Sequence, residues 1–401
     1  MQSAFELLLL STPVLFMGNE YEKAISFGEL YEGLRKSSRN VKWKDSVSTY
    51  CANALKNTFV LRQSLLDERY SILPYQRFQI HEPKEREIVA TRIKDRQFQR
   101  SLCDNILYPQ ITRSFIRDNC ACQRGKGVDD ALDRMDAHLH RYYHKHGVDG
   151  WVLKCDIHHY FAETRHEDAK AAVRKRVKDD DAYDRAAEII DSFGGDKGIG
   201  LGSQVSQLVE LALLDDFDHW VKERLGVKYY IRYMDDFIII HSDKAFLEDC
   251  LRHITEKLAR LGLTLNAKTH IHPLKQGVMF LKWRFILTGS GKVVRRMSKQ
   301  SIAKERRKLK KLQRKVLAGQ CMLDDMRTNF QSWKANAERG NTHGIVIQME
   351  TYFNKLIREV LENGNCGQYS TEDCTDDRHR EEKRDGAGRA NVQDGLHRHD
   401  G

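Results

Sequence analysis

Two adjacent acids, Asp235 and Asp236, sit between apolar runs in Tyr233-Met234-Asp235-Asp236. A third, Asp156, closes the run Trp151-Val152-Leu153-Lys154-Cys155-Asp156, 79 residues earlier (235 − 156). Neighbouring strand residues point to opposite faces, so two adjacent acids address one site only at a turn. Carboxylates gathered there repel each other unless a cation shares the site. Magnesium suits them, because it takes carboxylate oxygens and keeps waters and substrate phosphates as its other ligands. The chemistry such a site performs is phosphoryl transfer, with two ions about 4 Å apart steadying the attacking and leaving oxygens. An ordinary surface Asp-Asp turn is the competing reading of the pair alone, and the strand-terminal Asp156 weighs against it.

The elements that must position these acids follow from patterning. Val227 to His241 predicts a hairpin, alternating through Val227, Tyr229, Ile231 and Tyr233 and continuing in Phe237-Ile238-Ile239-Ile240. Trp151 to Asp156 predicts a buried strand. Residues 21–70 carry helical spacing without internal proline. Residues 74–98 interleave apolar and basic positions, which suggests a short hairpin leading into a helix from about Arg96 to Phe115. Residues 119–127 form a glycine-containing basic loop, followed by a helix from about Val128 to His146. Helices are expected over 166–193, Ser203 to Leu225 and Phe246 to Gly262. Phe280 to Leu287 and Val293-Val294 suggest a hairpin turning at Gly289-Ser290-Gly291. His138, His140, His144 and His146 lack an accompanying carboxylate or cysteine at ligand spacing, so they fit a solvated helix face better than a metal site. Mixed strands and helices without strict alternation indicate an α+β class.

The chain has 401 residues, 40% of them hydrophobic, enough for two or three subdomains. A formal net charge of +10 favours a polyanionic partner, usually nucleic acid. Nine cysteines at irregular spacing, with no CxxC pair, fit a reduced, cytoplasmic protein. Leu7 to Phe16 is apolar but too short to span a bilayer and lacks a basic flank, and the natural start is expected at Met17. From Arg295 to Lys315 there are eleven lysines and arginines against one acid, Glu305. After Ser370 the chain is charged and almost devoid of large apolar residues, as expected of a disordered tail.

Five motifs in one order resemble the reverse transcriptases, specifically the bacterial group II intron-like and retroelement branch. They are Lys154 to Phe161, Gly200 to Gln207, Tyr233 to Asp236, Gly262 to Thr269 and Phe280 to Phe285. The resemblance covers roughly residues 20–360. It implies a right-hand polymerase fold with fingers, a palm built on an antiparallel sheet, and a helical thumb. The implied divisions are an extension at 1–20, fingers and N-terminal helices at 21–150, and palm at 151–288 with part of the fingers inserted near 166–202. A thumb at 289–363 and a charged tail at 364–401 complete them. By position, Asp156, Asp235 and Asp236, with Ile157, match the magnesium-binding set. Phe161 matches the aromatic gate that crowds a ribose 2′-hydroxyl. Ser206 and Gln207 match residues lining the nascent base pair, and Lys268 the lysine that protonates pyrophosphate. Arg86, Lys94 and Arg96 fall where the family grips the triphosphate, and which of them does so stays open. The implied partners are template RNA, a DNA or RNA primer and deoxynucleotides, and the implied cofactor is Mg2+, with Mn2+ as substitute. The basic run fits a thumb helix against the duplex.

Two departures matter. The second motif ends Ser206-Gln207 where Ser-Pro is common, which resembles the enzymes of diversity-generating retroelements and implies a small helical accessory protein. Lys282 stands where a glycine is usual in the primer-grip hairpin, which puts the primer contact there in doubt. A stand-alone or defence-associated reverse transcriptase and a non-catalytic, maturase-like RNA-binding protein are the competing functions. Gly198-Ile199-Gly200-Leu201-Gly202 is not a dinucleotide loop, because no strand precedes it.

Overall fold

The computed structural model describes residues 20–81 and 85–363. The expected start at Met17 and the tail at 364–401 lie outside the described residues.

In chain order the first helices are α1 (Glu20–Ala24), α2 (Phe27–Ser37), α3 (Asp45–Ala52) and α4 (Ala54–Leu66). A basic hairpin follows, β1 (Gln76–Ile80) with β2 (Arg86–Ala90), in antiparallel register. The next helix, α5, spans Ile93–Leu102 and runs through a π turn at Cys103–Leu107 into α6 (Tyr108–Thr112). It starts three residues before the expected Arg96. The buried Asp95 in its first turn explains this, since its carboxylate accepts from the Tyr70 hydroxyl (2.8 Å) and the Leu73 N–H (3.1 Å).

After α7 (Val128–His146) come β3 (Trp151–Asp156), a short α8 (Tyr160–Glu163), α9 (His166–Arg176) and α10 (Asp180–Asp191). The helix expected over 166–193 is therefore two. Val177 is extended, and the Asp179 side chain caps the second helix by accepting from the Ala182 N–H (3.0 Å). The helix expected from Ser203 to Leu225 also divides, into α11 (Gln204–Leu213) and α12 (Asp215–Glu223). Three acids in the first turn of α12 favour a new helix start there. β4 (Tyr229–Tyr233), β5 (Asp236–His241), α13 (Lys244–Arg260) and β6 (His270–Pro273) complete this part.

Four strands form one antiparallel sheet in the order β4-β5-β3-β6. Leu153, Cys155, Tyr230, Phe237 and Ile239 face a core shared with Phe217 and Val221 of α12 and Leu247, Ile254 and Leu258 of α13. The other face is covered in part by α7, whose Tyr142 ring lies 5.3 Å from that of Tyr229. The alternation expected of β4 is absent as burial: residues 229–232 are all buried, because both faces are covered. A second core joins residues 21–111 to residues 169–212, so α9 and α10 pack with the N-terminal helices.

The remaining strands β7 (Val278–Phe280), β8 (Trp283–Leu287) and β9 (Val293–Met297) form a three-stranded sheet, turning after Leu287 as expected. Three helices end the described chain: α14 (Lys299–Leu317), α15 (Leu323–Ala337) and α16 (His343–Asn363). Among the described residues, those from 20 to 281 with 285–294 form one compact unit, and 282–284 with 295–363 a second. The second unit's core holds Leu309, Met326, Phe330, Met349, Phe353 and Leu356, with Trp333 half-buried beside it. The basic residues of α14 lie on its exposed side. The α+β class and the polymerase architecture of mixed helices and antiparallel sheets are those expected from sequence.

Candidate active site

Antiparallel register puts Asp156 directly opposite Asp236. Opposed residues share a face, with Cβ atoms about 5 Å apart. Lys154, two residues earlier on the same face, reaches Asp236 Oδ2 at 3.4 Å and donates to the Met279 carbonyl at 2.9 Å. Burial pushes the Asp236 carboxyl up to about 6. Lys154 pulls it back, while Asp156 and Asp235 push the same way as burial. One of its oxygens, Oδ1, is buried without a hydrogen-bond partner.

Asp235 occupies the turn between β4 and β5. Met234 adopts φ 57°, a left-handed conformation costly for a side chain of this size. Two contacts hold the turn. Arg232 Nη1 donates to the Met234 carbonyl (3.0 Å), and the Ile157 N–H donates to the Asp235 carbonyl (3.1 Å). Arg232 is itself locked by a two-pronged ion pair with Asp218, at 2.7 and 2.6 Å, both side chains being 0% exposed. The Tyr230 hydroxyl adds a third bond to Asp218 (2.6 Å). Sequence reasoning missed this pair. Its signal was an arginine in the otherwise apolar Tyr229-Tyr230-Ile231-Arg232-Tyr233, since a charge in a buried strand demands a partner.

The loops after β3 and before β6 converge on the acids. The Asn266 N–H donates to the Asp156 carbonyl (2.7 Å), and the His158 N–H donates to the Thr264 carbonyl (2.9 Å). The glycine loop joins them: Gly198 and Ile199 N–H groups donate to the Thr164 and Phe161 carbonyls, at 2.8 and 2.7 Å. A Cβ on Gly200 would stand 2.5 Å from the Phe193 ring, so only glycine lets this loop approach. The loop is thus a packing device and not a dinucleotide cradle.

These pieces enclose a cleft of about 850 Å³. Asp156, Ile157, Phe161, Gln207, Asp235 and Arg86 line it, alongside His158, His159, Arg77 and Asn266, which the sequence reading had not assigned. Asp236 stands beside the cleft with Lys154 and is not in its lining. Ser206 is buried with its hydroxyl unpartnered. Of the three candidate triphosphate residues, only Arg86 faces the cleft. Lys94 instead donates to the Ser71 carbonyl (3.2 Å) and lies over the Tyr70 ring, and Arg96 donates to the Thr91 carbonyl (3.0 Å). Lys268 is exposed, with its backbone N–H held by Asn266, and is not in the cleft lining. Behind Asp235, the fully buried Glu210 accepts from Thr164 (3.1 Å). Burial and the Asp235 charge raise its carboxyl to about 8, against the hydrogen bond from Thr164, while the Tyr160 hydroxyl donates to the Glu210 backbone carbonyl.

Among the described residues, no three His, Cys, Asp or Glu side chains stand close enough to hold a metal ion by themselves. The residues present still fit a hard cation that brings water and phosphate oxygens. Three carboxylates share one end of the sheet, one buried carboxylate oxygen is orphaned, and burial, with the neighbouring acids adding to it, makes the Asp236 carboxylate costly to ionise without a cation.

An antiparallel sheet with register-paired acids at one end, Asp156 in the wall of a cleft shared with Asp235, and Asp236 beside it, belongs to a polymerase-type fold. A family model for reverse transcriptase (RNA-dependent DNA polymerase) matches residues 81–281, half of the chain. The chain belongs to the reverse transcriptase family, whose members are RNA-directed DNA polymerases of the nucleotidyltransferase class. A search of curated proteins found no match. Among solved structures, it is similar to apo telomerase from Candida tropicalis truncated from its C-terminal domain. That match has 12% identity, covers 61% of this chain and 60% of that one, and has a TM-score of 0.44. It is also similar to telomerase from Candida albicans in complex with the TWJ fragment of telomeric RNA, at 12% identity, 72% and 55% coverage and a TM-score of 0.45. The chain thus spans less than two thirds of either.

Proposed function

We propose that this chain copies RNA into DNA, extending a primer with deoxynucleotides. The observation that carries this is the meeting of Asp156, Asp235, Phe161, Gln207 and Arg86 around one cleft. Asp156 and Asp235 would hold Mg2+ with the Ile157 carbonyl, and Asp236 would share its charge from the adjacent position. When bound, the ions activate the primer 3′-hydroxyl and steady the leaving pyrophosphate. Phe161 crowds the sugar, Gln207 lies against the nascent pair, and Arg86 meets the triphosphate. Lys268 as proton donor needs the loop carrying it to move toward the cleft on substrate binding.

The fingers, palm and thumb at 21–150, 151–288 and 289–363 remain part of this reading, as does a duplex held against the exposed basic side of α14. No helix of the described residues is long and apolar enough to cross a membrane; work in the cytoplasm rests on the scattered cysteines without a CxxC pair. The Ser206-Gln207 ending favours a diversity-generating retroelement with a small helical accessory partner.

Primer extension on poly-rA/oligo-dT with Mg2+ tests the proposal. Asp235→Asn is expected to lose roughly a thousandfold or more in incorporation, the scale of a lost charge-stabilising group at a reaction centre. Equal incorporation by both proteins removes the metal assignment. In the same assay Phe161→Ala is expected to accept ribonucleotides, and unchanged sugar selectivity refutes the gate.

A further inference from the structure

Phe161 and Gln207 line one cleft from two elements, and one buried side chain ties those elements together. Phe161 sits in α8, a single turn of four residues, too short to hold its own shape. Its pose is set by what it is tied to. The Ile199 N–H grips the Phe161 carbonyl, and both ends of the turn reach Glu210. The Tyr160 hydroxyl donates to the Glu210 carbonyl (2.5 Å). At the other end the Thr164 hydroxyl lies between the Tyr160 carbonyl (3.0 Å) and Glu210 Oε2 (3.1 Å).

Glu210 belongs to α11, three residues after Gln207, which places the two on neighbouring turns of one side of that helix. Leu208, Val209, Leu211, Ala212 and Leu213 around it are buried and apolar. Glu210 is 0% exposed, and its Oε1 has no hydrogen-bond partner. A buried oxygen left unpaired destabilises a fold, and an apolar side chain would pack there without that cost. What the carboxyl adds is the tie to Thr164. On the polymerase reading, on which this inference rests, pairing and Gln207 fix the base of the incoming nucleotide. Covalent geometry then fixes where its C2′ falls. Phe161 can reject a 2′-hydroxyl there only if it is held relative to Gln207, since a misplacement of about 1 Å can change a rate by about a hundredfold. We infer that Glu210 is a positioning residue for sugar selection: through Thr164 its side chain holds the Phe161 turn in register with Gln207.

Primer extension by the full chain with Mg2+, on an RNA template calling for G, gives kcat/KM for dGTP and for GTP. Glu210→Leu keeps the bulk and removes the tie, and is expected to lower the dGTP-to-GTP ratio at least about tenfold, mainly by admitting GTP. Glu210→Gln can still bond Thr164 and should recover most of the native ratio. Thr164→Val cuts the same tie from its other end. Its ratio should fall to a similar extent, and adding Glu210→Leu to it should lower the ratio no further. A purely structural role would reduce stability or overall rate and leave the ratio alone. A native ratio in Glu210→Leu and Thr164→Val, or no recovery in Glu210→Gln, overturns the inference. For a variant that turns over too slowly, binding of dGTP and GTP to its complex with a dideoxy-terminated primer gives the ratio without chemistry, and native discrimination there overturns the inference equally. Two controls judge the underlying reading separately. No incorporation by the native protein sinks the polymerase, and native selectivity in Phe161→Ala sinks the gate. A relaxed ratio in Phe161→Ala beside a native one in Glu210→Leu sinks the role of Glu210 alone.

Discussion

Two tight turns of this chain adopt left-handed backbone without glycine, and they are held in opposite ways. At Tyr233 to Asp236, Met234 has φ 57°; at Phe280 to Trp283, Leu281 and Lys282 have φ 48° and 71°. Two positive-φ loop residues are the requirement of a type I′ hairpin, which is why glycine suits the second turn. The first is over-determined. Its carbonyls are gripped by Arg232 and by Ile157, and Arg232 is fixed by a fully buried ion pair. The second turn carries an exposed lysine at its tip. Strain persists where surrounding structure dictates the geometry, and such geometry concentrates at sites of chemistry. The first turn carries Asp235; the second carries its strain without a comparable clamp.

Breaking the clamp has the largest expected effect on the fold. Arg232→Met leaves the Asp218 carboxylate buried and without its cation, and should cost about 3–5 kcal/mol in urea denaturation. Arg232→Met combined with Asp218→Leu should recover most of that loss, because no buried charge is stranded. Incorporation should stay low in the double variant, since the Met234 carbonyl is no longer held. Full activity in the double variant means that the ion pair serves the core alone.

Burial of Asp236 beside the first turn, with the neighbouring acids adding to it, should leave a measurable pH signature. A carboxyl raised from 3.8 to about 6 in the folded protein binds its proton more tightly there than in the unfolded chain. Without Mg2+, stability should therefore be greatest below about pH 4 as far as this group is concerned. It should fall as pH rises toward 6 and stay low above, by roughly 2–3 kcal/mol. Asp236→Asn should remove this slope and melt higher than the native protein at pH 7.5 in EDTA. Mg2+ should then raise the melting temperature of the native protein more than that of the variant. A native profile flat between pH 4 and 7 refutes the raised Asp236 carboxyl.

How much of this was legible in the sequence depends on whether a feature lies along one element or between elements. The hairpin at 229–241 and the strand at 151–156 follow from local pattern, and they deliver the acids. β6 did not, because His270-Ile271-His272-Pro273 has two histidines and a proline where strand signals are sought; pairing with β3 makes it a strand. Asp218 and Arg232 lie 14 residues apart on a helix and a strand, so only the fold reveals their pairing. Lys94 and Arg96 show the converse. Their position in the motif resemblance suggested the triphosphate, while their side chains meet nearby carbonyls, a detail the sequence does not carry. The motif comparison located the glycine loop, and packing against Phe193 gives its physical reason.

The smallest expected effect sharpens the contrast between the turns. At Lys282 a glycine removes the cost of left-handed backbone but adds entropy to the unfolded chain, and the two partly cancel. Left-handed conformations cost a residue with a Cβ about 1–2 kcal/mol, against roughly 0.5–1 kcal/mol for the extra freedom of glycine. Lys282→Gly should therefore stabilise the protein by about 0.5–1 kcal/mol, read as a shift in the urea midpoint at unchanged slope. The lysine is exposed, so little packing is lost with it. A loss of stability in this variant means that the Lys282 side chain secures the turn through a contact of its own. The second turn would then be clamped as the first is, and the distinction between them would fall.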